Sequence, residues 1–284
     1  MRGSLLITVV LIMVVTSSCK KEVQESLQSV EDNAQIETEF AQIYEVVSDY
    51  AANDPLTGKT EEYLLPSGAV VTFTDTTFTD GDGVDFMIDY GPLNHSGSNK
   101  GILCKDGRYR AGVIHAGITA PWSQLPCTLT VAISAANNYY VGNGTKMYKI
   151  TGAKSVQRTS DTSYTVIVTD ATLQRDNNTA SWSSTRTVTR TYDAGSGWLN
   201  DEYTIVGTAS GINANGVSFT VATVTPLLKK LSLGCMSTFV AGELVLTNSN
   251  GKTFAVNYDP DNDRACDKKL TVTINGKTYT VTLW

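Results

Sequence analysis

From Tyr63 to the last residue, apolar and polar residues alternate with a period of two, and turn-forming residues interrupt the alternation at short intervals. Successive side chains of a strand point to opposite faces, so this pattern calls for sheets with one buried and one polar face, as antiparallel sheets provide. The segment LTVTINGKTYTVTL, residues 270–283, is the plainest case. Asn275-Gly276 suits a two-residue type I′ turn, in which both central residues take positive φ. That turn sets Val272 opposite Tyr279 and Leu270 opposite Val281, and gathers Thr271, Thr273, Thr278, Thr280 and Thr282 on the other face. Turn chemistry and hydrophobic register specify the same hairpin independently.

The alternation recurs in Leu129/Val131/Ile133, Tyr164/Val166/Val168, Val217/Phe219/Val221 and Phe254/Val256/Tyr258. Breaks fall at Gly81-Asp82-Gly83, Asn143-Gly144, Asp176-Asn177-Asn178, Gly195-Ser196-Gly197, Asn215-Gly216 and Asn250-Gly251. About a dozen strands of this kind predict an all-β domain over residues 60–284, built as an antiparallel sandwich or as one strongly curled sheet. Phe86 to Pro92 followed by Cys104 echoes Phe254 to Pro260 followed by Cys266, and an internal duplication would account for the echo as readily as coincidence.

The amino-terminal end follows other rules. A basic start at Arg2 leads into an apolar run from Leu5 to Val15 and then Thr16-Ser17-Ser18-Cys19. The run is shorter than the ~20 residues that a membrane-spanning helix needs and suits the core of an export signal. The small residues before Cys19 resemble a lipobox with Thr16 in place of the usual Leu, so residues 1–18 are expected to be removed and Cys19 to carry lipid. Two or three acyl chains at about 0.8 kcal/mol per buried CH₂ would make that anchor stable. Residues 19–31 are polar and read as a tether. Over residues 32–54, Ile36, Phe40, Ile43, Tyr44, Val47 and Ala51 recur at helical spacing, with Asp32 or Asn33 to cap the start and Asn53-Asp54-Pro55 to end it. The expectation is one amphipathic helix laid on the β body or on a partner.

The chain carries a net charge of −6, and loss of Arg2 with the signal would make it one unit more acidic. No basic run exists to hold a phosphate backbone, so nucleic acid is not an expected partner. Of five cysteines, Cys19 is assigned to lipid, leaving Cys104, Cys127, Cys235 and Cys266 in a compartment that permits disulfides. Three pairings are open. Cys235 with Cys266 is preferred because the segment between them reads as two strands that bring the chain back. No cysteine spacing suits zinc.

The succession Asp89-Tyr90-Gly91, Cys104 to Arg110, Trp182 to Thr187, Tyr203 to Gly207, Asn213 to Gly216, Pro226-Leu227, Cys235, Cys266-Asp267 and Asn275 to Tyr279 resembles a group of uncharacterised β-rich lipoproteins of Bacteroidota. The likeness runs over most of the chain from about residue 84 onward. It implies export and an all-β body, and supplies no catalytic residues. Cys127 has no counterpart in that pattern.

Chemistry-bearing constellations are sparse. The two histidines, His95 and His115, have no neighbouring GxSxG nucleophile, so a serine-type triad is not expected. Asp80, Asp82, Asp85 and Asp89 form the densest acidic cluster, but they follow one another along a turn and a strand instead of facing each other across a substrate. Asp259, Asp261 and Asp263 have the alternate spacing of a calcium loop. However, Arg264 stands where such a loop needs glycine and Leu270 where it needs an acid, so an ordinary acidic turn is the commoner reading. Trp182, Arg186, Arg190 and Tyr192 share one face of a strand and could stack on sugars or hold carboxylates. The competing expectation is that these long side chains cover apolar sheet surface. Asp75-Thr76-Thr77 also resembles an O-glycosylation acceptor of exported Bacteroidota proteins.

These readings converge on an outer-membrane lipoprotein, facing the periplasm or the cell surface, that binds a glycan or an envelope partner without catalysis. The alternatives are a polysaccharide hydrolase and a structural or assembly subunit of the envelope. No cofactor is expected, with calcium at the Asp259 loop the one candidate.

Overall fold

The computed structural model describes residues 23–43, 46–47, 68–94, 100–195, 200–232, 235 and 238–283. Cys19, the signal segment and His95 lie outside the described residues. The described residues form a single antiparallel sheet of sixteen strands with one α-helix against it and a short 3₁₀ helix at Ala135–Asn137. The expected all-β fold with an amino-terminal helix is what is found, in its single curled-sheet form.

One end of the sheet is built from β1 (Val70–Phe73), β2 (Val84–Asp89), β5 (Val113–Ile118) and β6 (Cys127–Ile133), paired in that order. A side branch of β3 (Ile102–Leu103), β4 (Tyr109–Ala111) and β7 (Tyr140–Gly142) joins through β8 (Met147–Arg158). From β8 onward every strand pairs with the next: β9 (Ser163–Arg175), β10 (Asn178–Tyr192), β11 (Glu202–Ile212), β12 (Ser218–Lys230), β13 (Ala241–Asn248), β14 (Thr253–Asn257), β15 (Lys269–Ile274) and β16 (Lys277–Thr282). The last hairpin has the register that its sequence dictates, Val272 opposite Tyr279 and Leu270 opposite Val281, with Asn275 at φ 50° and Gly276 at φ 76°.

Irregularities concentrate where the long strands pair. Register shifts fall between Thr151 and Ala153, Trp182 and Ser184, Arg190 and Tyr192, Ile205 and Thr208, and along Thr223 to Leu228. Each bulge bends and twists its strand, and a run of them across β8 to β13 gives the sheet its curl. Gly152 shows why one shift sits where it does: a Cβ there would lie 2.7 Å from the Ala171 Cα and 2.9 Å from the ring of Phe40 on the helix.

Inside the curl lies α1, helical over residues 23–43 and at 46–47. It starts well before the Asp32 or Asn33 cap that the sequence suggests, so the segment read as a polar tether is helical from residue 23. The reason is where the polar groups go. Asp32 and Asn33 do not cap their own helix but reach the sheet: Asp32 accepts from the Ala214 amide at 2.7 Å and Asn33 from the Trp182 indole at 2.8 Å. Asn213 Nδ2 donates to the Glu25 carbonyl at 3.1 Å and to Ser29 Oγ at 2.8 Å, which holds the first turns. Tyr44 and Ala51 of the predicted stripe and the Asn53-Asp54-Pro55 stop lie outside the described residues, while Ile36, Phe40, Ile43 and Val47 are buried in the core. So are Asp32, Asn33, Gln35, Glu37, Glu39 and Gln42, so α1 is enclosed on almost every side instead of lying on a surface.

Candidate functional site

What distinguishes α1 is how it is held. Its acids meet cations that the strands project inward, at positions where the period-two register would otherwise place apolar residues. Arg186 on β10 grips Glu37 with two parallel bonds, Nε to Oε1 at 2.9 Å and Nη2 to Oε2 at 3.1 Å. Arg108 pairs with Glu39, and Arg175 on β9 pairs with Asp32 and donates to Gln35 Oε1. Lys154 on β8 donates to the Phe40 carbonyl at 2.8 Å. A charge buried without a partner costs several kcal/mol, so each inward cation demands an acid or carbonyl on α1. In return, the buried polar face of α1 demands this sheet.

Two hollows flank the helix. On one side a cleft of about 600 Å³ lies between α1, the β7–β8 turn and the end of β16. Gln28, Glu31, Gln35, Lys146, Tyr148 and Arg175 line it, with Asn143 and Thr145 at its edge. Gln35 is buried, its oxygen engaged by Arg175, and its Nε2 has no hydrogen-bond partner. Burial, aided by the neighbouring Asp32 charge and opposed by Arg175, raises the pKa of Glu31 above the usual carboxylate value. Burial likewise raises the Tyr148 phenol, although the Arg175 guanidinium sits 5.7 Å from its ring centre.

On the opposite flank a smaller cavity of about 100 Å³ lies between α1 and strands β8 to β12. Phe40, Val166, Val188, Tyr203, Ile205 and Phe239 make most of its wall, and Lys154, Ser184, Arg186 and Lys229 bring polar atoms to it. Ser184 Oγ and Arg186 Nη1 are buried and have no partner.

The residues singled out in the sequence are distributed differently. Trp182 and Arg186 are buried beneath α1, Arg190 pairs with Asp193 at 3.2 Å and Asp201 at 3.6 Å, and only Tyr192 is exposed. The row is therefore not one open surface, because its inner half is spent on the helix. At the proposed calcium loop, Asp259 Oδ1 accepts from the Asp263 and Arg264 amides at 3.0 and 3.1 Å, and Asp261 pairs with Lys269. Its oxygens are turned to the turn's own backbone and a lysine, which is the arrangement of an acidic turn. Among the described residues the carboxylates that do converge are Asp75, Asp80 and Asp82, within 4.8 Å of one another at the β1–β2 connection. The Asp82 carboxyl is held above its usual pKa by a hydrogen bond and charge from Asp80. Cys235 and Cys266 form a disulfide with Cα atoms 5.1 Å apart, spanning β13 and β14, while Cys104 and Cys127 are free and buried. His115 is exposed on β5.

Gln35, Glu37, Arg108, Lys154 and Arg175 were not singled out by motif or spacing. The signal that could have found them is local: a cation at an inward strand position, such as Arg186 between Ser184 and Val188, requires a buried acid elsewhere. Comparison of the chain with protein-family models, curated proteins and solved structures gave no match.

Proposed function

We propose that the chain is a lipid-anchored envelope protein whose curled sheet binds a glycan in the cleft beside α1 and does not transform it. Cys19 would carry the lipid after removal of residues 1–18, with the β body held at the outer membrane on its periplasmic or outer side. The observation that carries the binding reading is the cleft itself. Its volume of about 600 Å³ falls within the ~300–1,000 Å³ range of small-molecule sites. Amides, hydroxyls and a buried, unpartnered Gln35 Nε2 supply the fixed donors and acceptors that orient a polyhydroxylated ligand.

Two acids line the cleft, Glu31 and Glu39. They stand eight residues apart on α1, about 12 Å along the axis at 1.5 Å per residue, and Glu39 is committed to Arg108. A glycosidase needs a free acid and a free base facing each other across one bond, so this pair favours binding.

A glycan array probed with the full chain tests the reading. Binding to a defined glycan class is expected, and Lys146→Ala and Glu31→Gln should each weaken it while leaving the fold intact. No glycan bound, or binding indifferent to both variants, overturns the cleft as the site. Palmitate labelling of the chain, lost in Cys19→Ala together with membrane association, tests the anchor separately.

A further inference from the structure

We propose that the cavity on the other flank of α1 is a second binding site, specific for a small monocarboxylate with a short apolar body, whose carboxylate is held by Arg186 Nη1 and Ser184 Oγ. Arg186 is 3% exposed and spends Nε and Nη2 on the two oxygens of Glu37, which leaves Nη1 without an acceptor. Ser184 precedes it by two residues on β10, so both side chains face the same way, and its hydroxyl is likewise buried and unpartnered at 6% exposure. Buried donors left unpaired are costly, and native structures hold few of them. Two adjacent ones lining the same cavity mark a place where an acceptor from outside the chain belongs.

The remaining wall defines the rest of the ligand. Apart from Glu37, Lys154 and Lys229, the rest of the wall is apolar or aromatic, with Phe40, Val166, Val188, Ile205 and Phe239 enclosing the space, so the group attached to the acceptor is apolar. The hollow of about 100 Å³ is smaller than the roughly 150 Å³ cavity that admits benzene. An aliphatic acid of about three or four carbons, no larger than benzene, matches that size. A carboxylate suits the donors better than a neutral acceptor, since a charged acceptor facing a guanidinium in a site of low dielectric gives the stronger bond. This site is independent of the glycan reading, because it shares neither lining residue nor flank of the helix with the cleft.

Titration calorimetry of the full chain with sodium propionate, sodium butyrate and 1-butanol tests it. Propionate or butyrate should bind at one site, with the alcohol at least about tenfold weaker, the gap expected between a charge-assisted and a neutral bond. Ser184→Ala, which leaves the Arg186–Glu37 pair in place, should lower carboxylate affinity about fivefold. Ala41→Phe, which fills the cavity from α1, should abolish binding. Circular dichroism melting of both variants confirms that the fold persists. If either variant fails to fold, the acid-to-alcohol ratio on the parent chain decides. Equal binding of acid and alcohol, no binding of either acid, or full affinity in a folded Ala41→Phe overturns the proposal.

Discussion

The carboxyl-terminal hairpin and the seam around α1 both contribute to the core and both are regular, yet they are held in opposite ways. In the hairpin, the register is decided within fourteen residues: the turn at Asn275-Gly276 sets it, while Leu270 and Val272 are fully buried in the common core, with Val272 also opposite Val256 on β14. Along the seam, α1 meets residues 69 to 188 positions away in the chain, through ion pairs and amide bonds as much as through Ile36 and Phe40. The hairpin is stabilised by burial that is tolerant of detail. The seam trades energy for specificity, since a buried ion pair contributes little net stability but penalises any arrangement that separates its members.

The sharpest way to break the comparison is to remove one member of a seam pair. Glu37→Ala or Arg186→Ala leaves a buried charge alone, and either should cost about 3–5 kcal/mol in urea unfolding. The double change Glu37→Met/Arg186→Met removes both charges and should recover most of that loss, or exceed the parent in stability. A double variant as unstable as the singles would mean that the pair is valued for its contacts and not for mutual neutralisation. In the hairpin, Leu270→Ala should cost about 2–5 kcal/mol by the cavity it leaves, and no second substitution among the charged residues should rescue it.

A smaller effect isolates the turn. Gly276 sits at φ 76° with open space where a Cβ would go, so Gly276→Ala suffers backbone strain without any clash. About 1 kcal/mol is expected, the ordinary cost of a left-handed residue with a side chain. A much larger loss would show that the hairpin depends on contacts at its tip, which would erase much of its contrast with the seam.

The same contrast explains what the sequence makes legible. Strand periodicity, the turns at Asn143-Gly144, Asp176-Asn177, Asn215-Gly216 and Asn250-Gly251, and the final register are local properties, and the structure repeats them. The Cys235–Cys266 pairing was reachable because two recognisable strands lie between the cysteines. The extent of α1 was not, because polar residues from 23 to 31 look like tether unless Asn213 and Ala214 are known to meet them. Trp182 and Arg186 stayed open for a related reason: a strand face of aromatic and guanidinium groups has the same spelling whether it meets a ligand or a helix. The two hollows exist only because α1 is seated, so neither could be read from any segment alone.

The gentlest test titrates the seam instead of cutting it. Glu31, at the rim of the cleft, has its pKa raised by burial and by the Asp32 charge, against the pull of Arg175. A carboxyl that holds its proton more tightly when folded contributes stability that is complete below its unfolded pKa, near 4.5, and is lost as pH rises through the folded value. The difference in urea midpoint between the parent and Glu31→Gln should therefore change with pH just above 4.5, the parent losing ground as the carboxylate ionises. Gly276→Ala, measured beside them, should shift the midpoint without altering that dependence, since the hairpin turn does not touch Glu31. If Glu31→Gln followed the parent at every pH, the electrostatic coupling of α1 to its neighbours would stop short of the cleft rim. The polar flank would then be held, like the hairpin, by contacts that do not feel charge.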